Sequence, residues 1–383
     1  MGGDHAPEAV VAGAVQAARE RAIGVTLVGP SDLVRRQLQR LDAEGLPDVL
    51  VEEAPDVVAI DEAPLAALRR KRRASIVVAV DLVQRGEAGA VFTAGHTGAA
   101  VLAARTAFGL LPGALRPALA VLVPTPTGST VLLDVGANLE SRPEHLAQFG
   151  LMGAAYARVA LNLDDPRVGL LSIGEEAGKG NDLVREAHQR LASSPLTFIG
   201  NLEARDLFTG RADVVVCDGF TGNVALKVGE GLVEAIEQMI RDALGAEVVS
   251  QIGALLTRRA FARFKQKVDA AAYGGAPLLG VAGLLLVGHG RSTPQAVENG
   301  VVMAARLAEE RMVDRLGETI AGRSAHSGCP RSDSDRADRA TACGPAASRS
   351  GRQCGRRCRR GPGPRGRWRG RRARACRSRC RRR

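Results

Sequence analysis

Asp213-Val-Val-Val-Cys-Asp-Gly-Phe-Thr-Gly-Asn223 compresses a strand, a glycine-rich turn and the opening of a long helix into one stretch. Val214 to Val216 are β-branched and apolar on both faces, as in a strand covered on both sides. Gly219 and Gly222 then interrupt the strand, and a helix is expected over 221–243. The unit recurs. Ala90-Val-Phe-Thr93 leads into Thr93-Ala-Gly-His-Thr-Gly98, and Val168-Gly-Leu-Leu-Ser172 leads into Gly174-Glu-Glu-Ala-Gly-Lys-Gly-Asn181. A fourth glycine loop, Tyr273-Gly-Gly-Ala-Pro-Leu-Leu-Gly280, stands ahead of Gly283-Leu-Leu-Leu-Val287. Such loops let backbone N–H groups crowd around an anion, and a following helix adds the positive end of its dipole. Several of them in one chain point to a cleft for a phosphate-bearing ligand.

Outward from these units, apolar runs alternate with amphipathic stretches. Further strands are expected at 24–28, 119–123, 130–134 and 196–199, and helices at 7–21, 31–43, 64–84, 97–108, 144–161, 181–192 and 293–316. The alternation predicts an α/β fold, a three-layer α/β/α sandwich with a mostly parallel sheet. Ligands in such folds collect beyond the carboxyl ends of the strands, where three of the four glycine loops are expected. The stretch 221–267 reads instead as helix after helix, a helical hairpin protruding over about 240–268. Leu232, Ile236, Met239, Ile240 and Ala243 form its apolar stripe. That stripe suits a core or dimer contact, or a membrane-surface or partner-docking tip flanked by Arg258, Arg259, Arg263, Lys265 and Lys267.

The formal charge of +12 is unevenly spread. Residues 323–383 hold 21 Arg, no Lys and 3 Asp, a balance of +18, so residues 1–322 carry −6. The terminal segment also has no Val, Ile, Leu, Met, Phe or Tyr, so disorder is expected there. Its composition reads as translation past a frameshift. The single domain is expected over 1–322, with Cys217 its one cysteine, on a buried strand in a reducing compartment. Met1 runs directly into Gly2-Gly3-Asp4 without a signal peptide, and the apolar run 276–288 is too short and glycine-broken to span a bilayer.

Gly174 to Gly180 fails as a P-loop. Three residues, not four, separate Gly174 from Gly178, and Gly180 stands where Ser or Thr would hold magnesium. Lys179 remains either a solvated loop charge or a phosphate contact. Thr221 or Asn223 is either a helix cap or, for Asn223, an oxyanion donor. His96 and His289 are each open to three readings: a satisfied loop histidine, a proton-transfer group or a phosphate contact. There is no G-x-S-x-G elbow and no G-x-G-x-x-G after a strand, so neither a serine nucleophile nor a dinucleotide site is indicated. No cofactor and no metal is expected.

Taken in order along residues 1–310, these segments resemble the bacterial phosphate acyltransferase family, PlsX. The matching stretches are Met1-Gly-Gly-Asp4, Asp61-Glu-Ala-Pro64, Ala94-Gly-His-Thr-Gly98, Asp134-Val-Gly-Ala-Asn138, Gly174-Glu-Glu176, Lys179-Gly-Asn181, Gly200-Asn-Leu-Glu203, Asp218-Gly-Phe-Thr-Gly-Asn223, Gly274-Gly-Ala-Pro-Leu-Leu-Gly280 and His289-Gly290. The resemblance implies a fold similar to phosphate acetyltransferase and to isocitrate and isopropylmalate dehydrogenases, and a homodimer. It implies transfer of an acyl group from acyl-[acyl carrier protein] to inorganic phosphate. The acyl phosphate would pass to a membrane glycerol-3-phosphate acyltransferase for phospholipid synthesis. A cytoplasmic protein associated peripherally with the membrane is expected. The family usually has a short strand ahead of Met-Gly-Gly-Asp, which this chain lacks, and often Asn where His96 stands.

Phosphate is itself the nucleophile in that reaction, so the protein must hold a polyanion against a thioester carbonyl. Lys179 and Asn223 are the expected catalytic groups. Gly95, His96, Thr97 and Gly98 are expected at the phosphate, with Asn138, Asn181 and His289. Asp218, Thr221 and Gly222 complete the expected substrate contacts. The acidic carrier protein or the membrane is expected to dock at Arg69 and Arg72, within Arg69-Arg-Lys-Arg-Arg73, or at Leu255, Leu256, Arg258, Arg259 and Lys265. Competing readings are an acyl-CoA phosphotransacetylase, an NAD- and metal-dependent dehydrogenase of the same fold, and nucleic-acid binding through the Arg-rich tail. The tail's Cys354-x3-Cys358 and Cys376-x3-Cys380 have zinc-like spacing but no residues to pack a zinc module.

Overall fold

The structure, a computed structural model, describes residues 2–245, 253, 256–259 and 274–322. The expected disordered tail over 323–383, with its cysteine pairs, lies outside these residues, as do Leu255 and Lys265. Of the hairpin expected over about 240–268, the long helix reaches Gly245, Gly253 is helical, and residues 256–259 are helical and exposed; the rest lies outside the described residues.

Alternate residues of each central strand bury against opposite layers, and this is why the sheet carries helices on both faces. Strands β4 (Ala118–Thr125), β5 (Gly128–Leu133) and β8 (Val214–Val216) form the middle. Val131, Leu133, Val214 and Val216 pack with Phe149, Met152 and Tyr156 of helix α6 (Pro143–Ala160). Leu119, Leu132 and Val215 face the other way, toward the layer of α3 (Pro64–Arg70), α4 (Ser75–Gln84) and α5 (Thr97–Phe108). Phe149, Met152 and Tyr156 are fully buried, and burial of the Phe149 and Met152 side chains is worth about 1.5–3 kcal/mol each.

The sheet has eight strands in the order β3-β10-β9-β4-β5-β8-β6-β7. Its remaining members are β3 (Val91–Thr93), β6 (Arg167–Leu171), β7 (Thr197–Leu202), β9 (Ala276–Leu279) and β10 (Leu285–Val287). The outer pairings are parallel, and β9 and β4 bring three antiparallel pairings into the centre. In consequence β3 and β10 run opposite to β5, β8 and β6. The glycine loop after β3 therefore leaves one end of the sheet and those after β6 and β8 leave the other. The expectation that all three gather beyond one set of strand ends is corrected on this point.

Strands β1 (Val25–Gly29) and β2 (Val49–Glu53) form a separate two-stranded parallel sheet. Their core is Val11 and Val15 of α1 (Glu8–Arg21) with Val34 and Leu38 of α2 (Ser31–Arg40). Two expected long helices are each broken. The 64–84 segment divides at 71–74, where Ala74 bridges Asp56 and the Ser75 amide donates to the Asp56 carbonyl (2.9 Å). The 293–316 segment divides into α9 (Pro294–Glu309) and α10 (Met312–Ile320), because Arg311 turns left-handed (φ 52°) and lets Met312 and Leu316 reach the core beside α6. The long helix α8 (Gly219–Gly245) and α7 (Asp182–Ala192) complete the set. The apolar stripe of α8 is exposed at Leu232, Ile236 and Met239, so it is not a core contact. Among the described residues no helix is long and apolar enough to cross a membrane.

Candidate active site

The junction between β8 and α8 explains its glycines. The Asp218 carboxylate accepts from the Thr221 amide (2.9 Å) and from the Thr221 hydroxyl (2.6 Å), so Asp218 caps α8. A Cβ on Gly222 would stand 2.0 Å from the Asp134 carbonyl oxygen, and one on Gly219 would stand 2.3 Å from that of Asn138. The helix start can press on the 134–138 turn only without those side chains. Beneath it, the fully buried Asp134 accepts from the amides of Leu119 (3.2 Å), Ala137 (2.9 Å) and Asn138 (3.0 Å). The Asn138 side-chain amide donates to Asp134 (2.8 Å) and to the Pro117 carbonyl (2.7 Å). Burial pushes the Asp134 carboxyl up, and the four donors pull against it. Burial, with Asp134 and Asp218 alongside, pushes the Cys217 thiol well above its ordinary value, which removes it as a nucleophile.

From this junction α8 runs beside a cleft of about 720 Å³. Leu119, Val121 and Leu132 give the sheet side of the cleft an apolar surface, and Phe208 and Phe220 extend it. Asn223, Lys227 and Glu230, spaced i, i+4, i+7, face it from α8. Between Gly219 and Glu230 the helix advances about 16 Å. It thereby joins the 134–138 turn to the loops at the opposite end of the sheet.

At that far end the loops after β3 and β10 leave together, because those strands are parallel neighbours and the Gly288 amide donates to the Thr93 carbonyl (2.7 Å). The Asp4 amide donates to the Gly290 carbonyl (2.8 Å), adding the chain start. His96 caps α5: its Nδ1 accepts from the Gly98 amide (3.1 Å), so the proton sits on Nε2, which donates to the Glu62 carbonyl (3.1 Å). Both ring nitrogens are occupied, which favours the satisfied-loop reading over proton transfer. His289 Nδ1 accepts from the Arg291 amide (3.2 Å), while Nε2 faces Lys227 Nζ (3.1 Å) and Glu230 Oε2 (3.7 Å). Lys227 also donates to Glu230 (2.7 Å). Burial acts on Glu230 most strongly and upward, yet His289 and Lys227 together outweigh it and hold its carboxyl at about 2.

Of the residues singled out in the sequence, Thr97, Gly98, Asn223 and His289 line the cleft, with Gly95 and His96 in the adjoining turn. Lys179 does not. It is exposed on the 174–181 loop, its amide donating to the Glu176 carbonyl (2.9 Å), outside the cleft lining. Asn181 caps α7, accepting from the Val184 amide (3.0 Å), and Asn138, Asp218, Thr221 and Gly222 hold the junction rather than face the cleft. Sequence reading passed over Lys227 and Glu230, which look like a solvated i,i+3 pair until His289 is placed beside them. In the basic run, α3 ends at Arg70, and Lys71 and Arg70 pair with Glu62 (2.5 and 3.4 Å). Arg69 and Arg72 stay exposed, as do Leu256, Arg258 and Arg259.

Comparisons with known proteins agree with this architecture. A sequence model of the family described as "Fatty acid synthesis protein" matches residues 1–315. A phosphate acyltransferase of Citrifermentans bemidjiense is 48% identical over 326 residues, covering 84% of this chain and 92% of that protein. Another, of Acidobacterium capsulatum, is 49% identical over 308 residues, covering 80% and 91%. Among solved structures, a phosphotransacetylase from Streptococcus pyogenes superposes with a TM-score of 0.54 at 19% identity over 80% of this chain and 92% of its own, a likeness of fold. On this sequence identity and coverage, the chain belongs to the phosphate acyltransferase family of fatty acid synthesis proteins.

Proposed function

We propose that the protein transfers a fatty acyl group from an acyl-[acyl carrier protein] thioester to inorganic phosphate, giving acyl phosphate for phospholipid synthesis. The observation that carries this reading is the two-sided cleft. Its apolar sheet side suits a hydrocarbon chain, and its α8 side sets Asn223 and Lys227 one turn apart. A phosphate oxygen attacks the thioester carbonyl carbon and the new C–O bond forms. On collapse of the tetrahedral intermediate the C–S bond breaks, its electron pair goes to sulfur, and the proton of hydrogen phosphate ends on the thiol. No side-chain nucleophile is called for. The Asn223 amide, which has no hydrogen-bond partner among the described residues, donates to the tetrahedral oxyanion. Thr97 and Gly98, at the start of α5, put the helix dipole toward the same cleft.

The reading includes a homodimer at the cytoplasmic face of the membrane, where a glycerol-3-phosphate acyltransferase takes the product. The exposed apolar residues of α8 and exposed Arg69, Arg72, Arg258 and Arg259 support a partner or membrane surface. The experiment is incubation of the full chain with phosphate and either acyl-[acyl carrier protein] or acyl-CoA, with acyl phosphate trapped by hydroxylamine. Hydroxamate formed with the carrier protein and dependent on phosphate is the expected result. Hydroxamate from acyl-CoA alone would replace it with the phosphotransacetylase reading, and none from either donor would end both.

A further inference from the structure

We propose that Lys227, tethered by Glu230 and facing His289, is the cation that receives the phosphate in the cleft. The inference deepens the reading above, since it takes phosphate as the acyl acceptor. It rests on an arrangement of donors. The Arg291 amide donates to His289 Nδ1, so the imidazole proton is on Nε2. That N–H and the Lys227 ammonium then lie side by side at 3.1 Å, two donors whose one shared acceptor is the Glu230 carboxylate. Glu230 takes one ammonium proton at 2.7 Å and stands 3.7 Å from Nε2. An anion oxygen placed between ammonium and imidazole would accept from both.

Position agrees. Lys227 is half exposed and follows Asn223 by one helical turn on the cleft side. An oxyanion at Asn223 and a phosphate at Lys227 would thus be neighbours, as attack on a carbonyl demands. The other full cation lining the cleft among the described residues is Arg291, and it is committed to Glu234 (2.9 Å). Lys179 lies outside the lining. Glu230 is a positioning residue: it holds the ammonium at the wall, and its charge weakens the grip on a dianion, so that phosphate is bound without being trapped.

The chain has five lysines, Lys71, Lys179, Lys227, Lys265 and Lys267, which permits a footprint on the wild-type protein. Acetylation by acetic anhydride is followed at each lysine by mass spectrometry, with inorganic phosphate or chloride at equal ionic strength. Near-saturating phosphate is expected to slow acetylation of Lys227 about tenfold and leave Lys179 unchanged. Equal rates at Lys227 in both salts, or protection at Lys179 instead, would overturn the assignment. In parallel, K227M is expected to raise the phosphate KM about tenfold or more, with K227R recovering part of it. E230Q keeps an acceptor for the ammonium and removes a negative charge, so it is expected to lower that KM, where a purely structural role would raise it. A K227M enzyme with wild-type phosphate KM would also defeat the proposal. Wild-type hydroxamate formation, measured separately, reports on the reaction itself, so failure there is distinct from failure of Lys227.

Discussion

The Lys227 ammonium lies 3.1 Å from Nε2 of His289, a contact closed across 62 residues of chain by helix α8 and the turn after β10. Glu230 completes it, and the three groups make one electrostatic unit on the cleft wall. Its stability has a definite pH dependence. The Glu230 carboxyl titrates at about 2 when folded against an ordinary value of 4.5. A depressed carboxyl adds stability that is present above its unfolded value and lost as pH falls through the folded one. The contribution should therefore be full at pH 6–7 and fade between about 4.5 and 2. With Lys227 half exposed, solvent screening leaves on the order of 1 kcal/mol. E230Q is expected to melt roughly 2–4 °C below wild type at pH 7. Thermal melts at pH 7 and pH 3 check this, and the gap should narrow at the lower pH.

The close approach of α8 to the 134–138 turn gives a pair of opposed substitutions on one helix. G222A would drive a methyl to 2.0 Å from the Asp134 carbonyl oxygen, while a Cβ at Gly231 meets nothing within 4 Å. G222A is expected to cost about 1–3 kcal/mol or to prevent folding, from overpacking against backbone. G231A is expected to stabilise by roughly 0.5–1 kcal/mol, because alanine loses less backbone entropy in a helix. Denaturant midpoints of the two proteins test the contrast.

His96 fixes the start of α5 and ties it to Glu62, whose carboxylate is itself held low by the Lys71 hydrogen bond and by the Ala59 amide. H96A removes the cap and is expected to cost about 1 kcal/mol. H96N keeps an acceptor for the Gly98 amide and should recover most of it. The measurement is chemical denaturation of both variants beside wild type, and equal losses would show that the cap contributes little.

Much of this was legible in the sequence because local signals and tertiary demand agree. The Val214–Val216 strand, its glycine turn and the helix after it are where periodicity places them. Strand β9 was hidden because Pro277 within Ala276-Pro-Leu-Leu279 reads as a loop, yet Pro277 pairs opposite Leu286 in the sheet. Strand β2 ends in Glu52 and Glu53 and has only one residue, Val49, buried, so its period was faint. The breaks at 71–74 and at Arg311 come from contacts with Asp56 and with α6 that no local pattern encodes. In the site, glycine-flanked residues drew notice and helix-borne ones did not. Lys179 stood out between two glycines and lies outside the cleft, whereas Lys227 gained meaning only from His289.

Two asparagines from the recurring motifs separate structure from chemistry. Asn138 is buried, and both its side-chain bonds are spent on Asp134 and Pro117. N138A leaves the buried Asp134 carboxylate one donor short, and the expected cost is about 1–3 kcal/mol. Catalysis per folded molecule should change little. Asn223 is exposed at the cleft, with its side chain 3.8 Å from where a Cβ on Gly136 would be. N223A is expected to keep the wild-type melting temperature and to lose about 10²–10³ in kcat, the usual effect of deleting one oxyanion donor. Hydroxamate assays corrected for folded fraction, run with thermal melts, distinguish the two. If N138A alone slowed turnover while N223A remained fast, the oxyanion donor would have to be sought at the 134–138 turn instead of on α8.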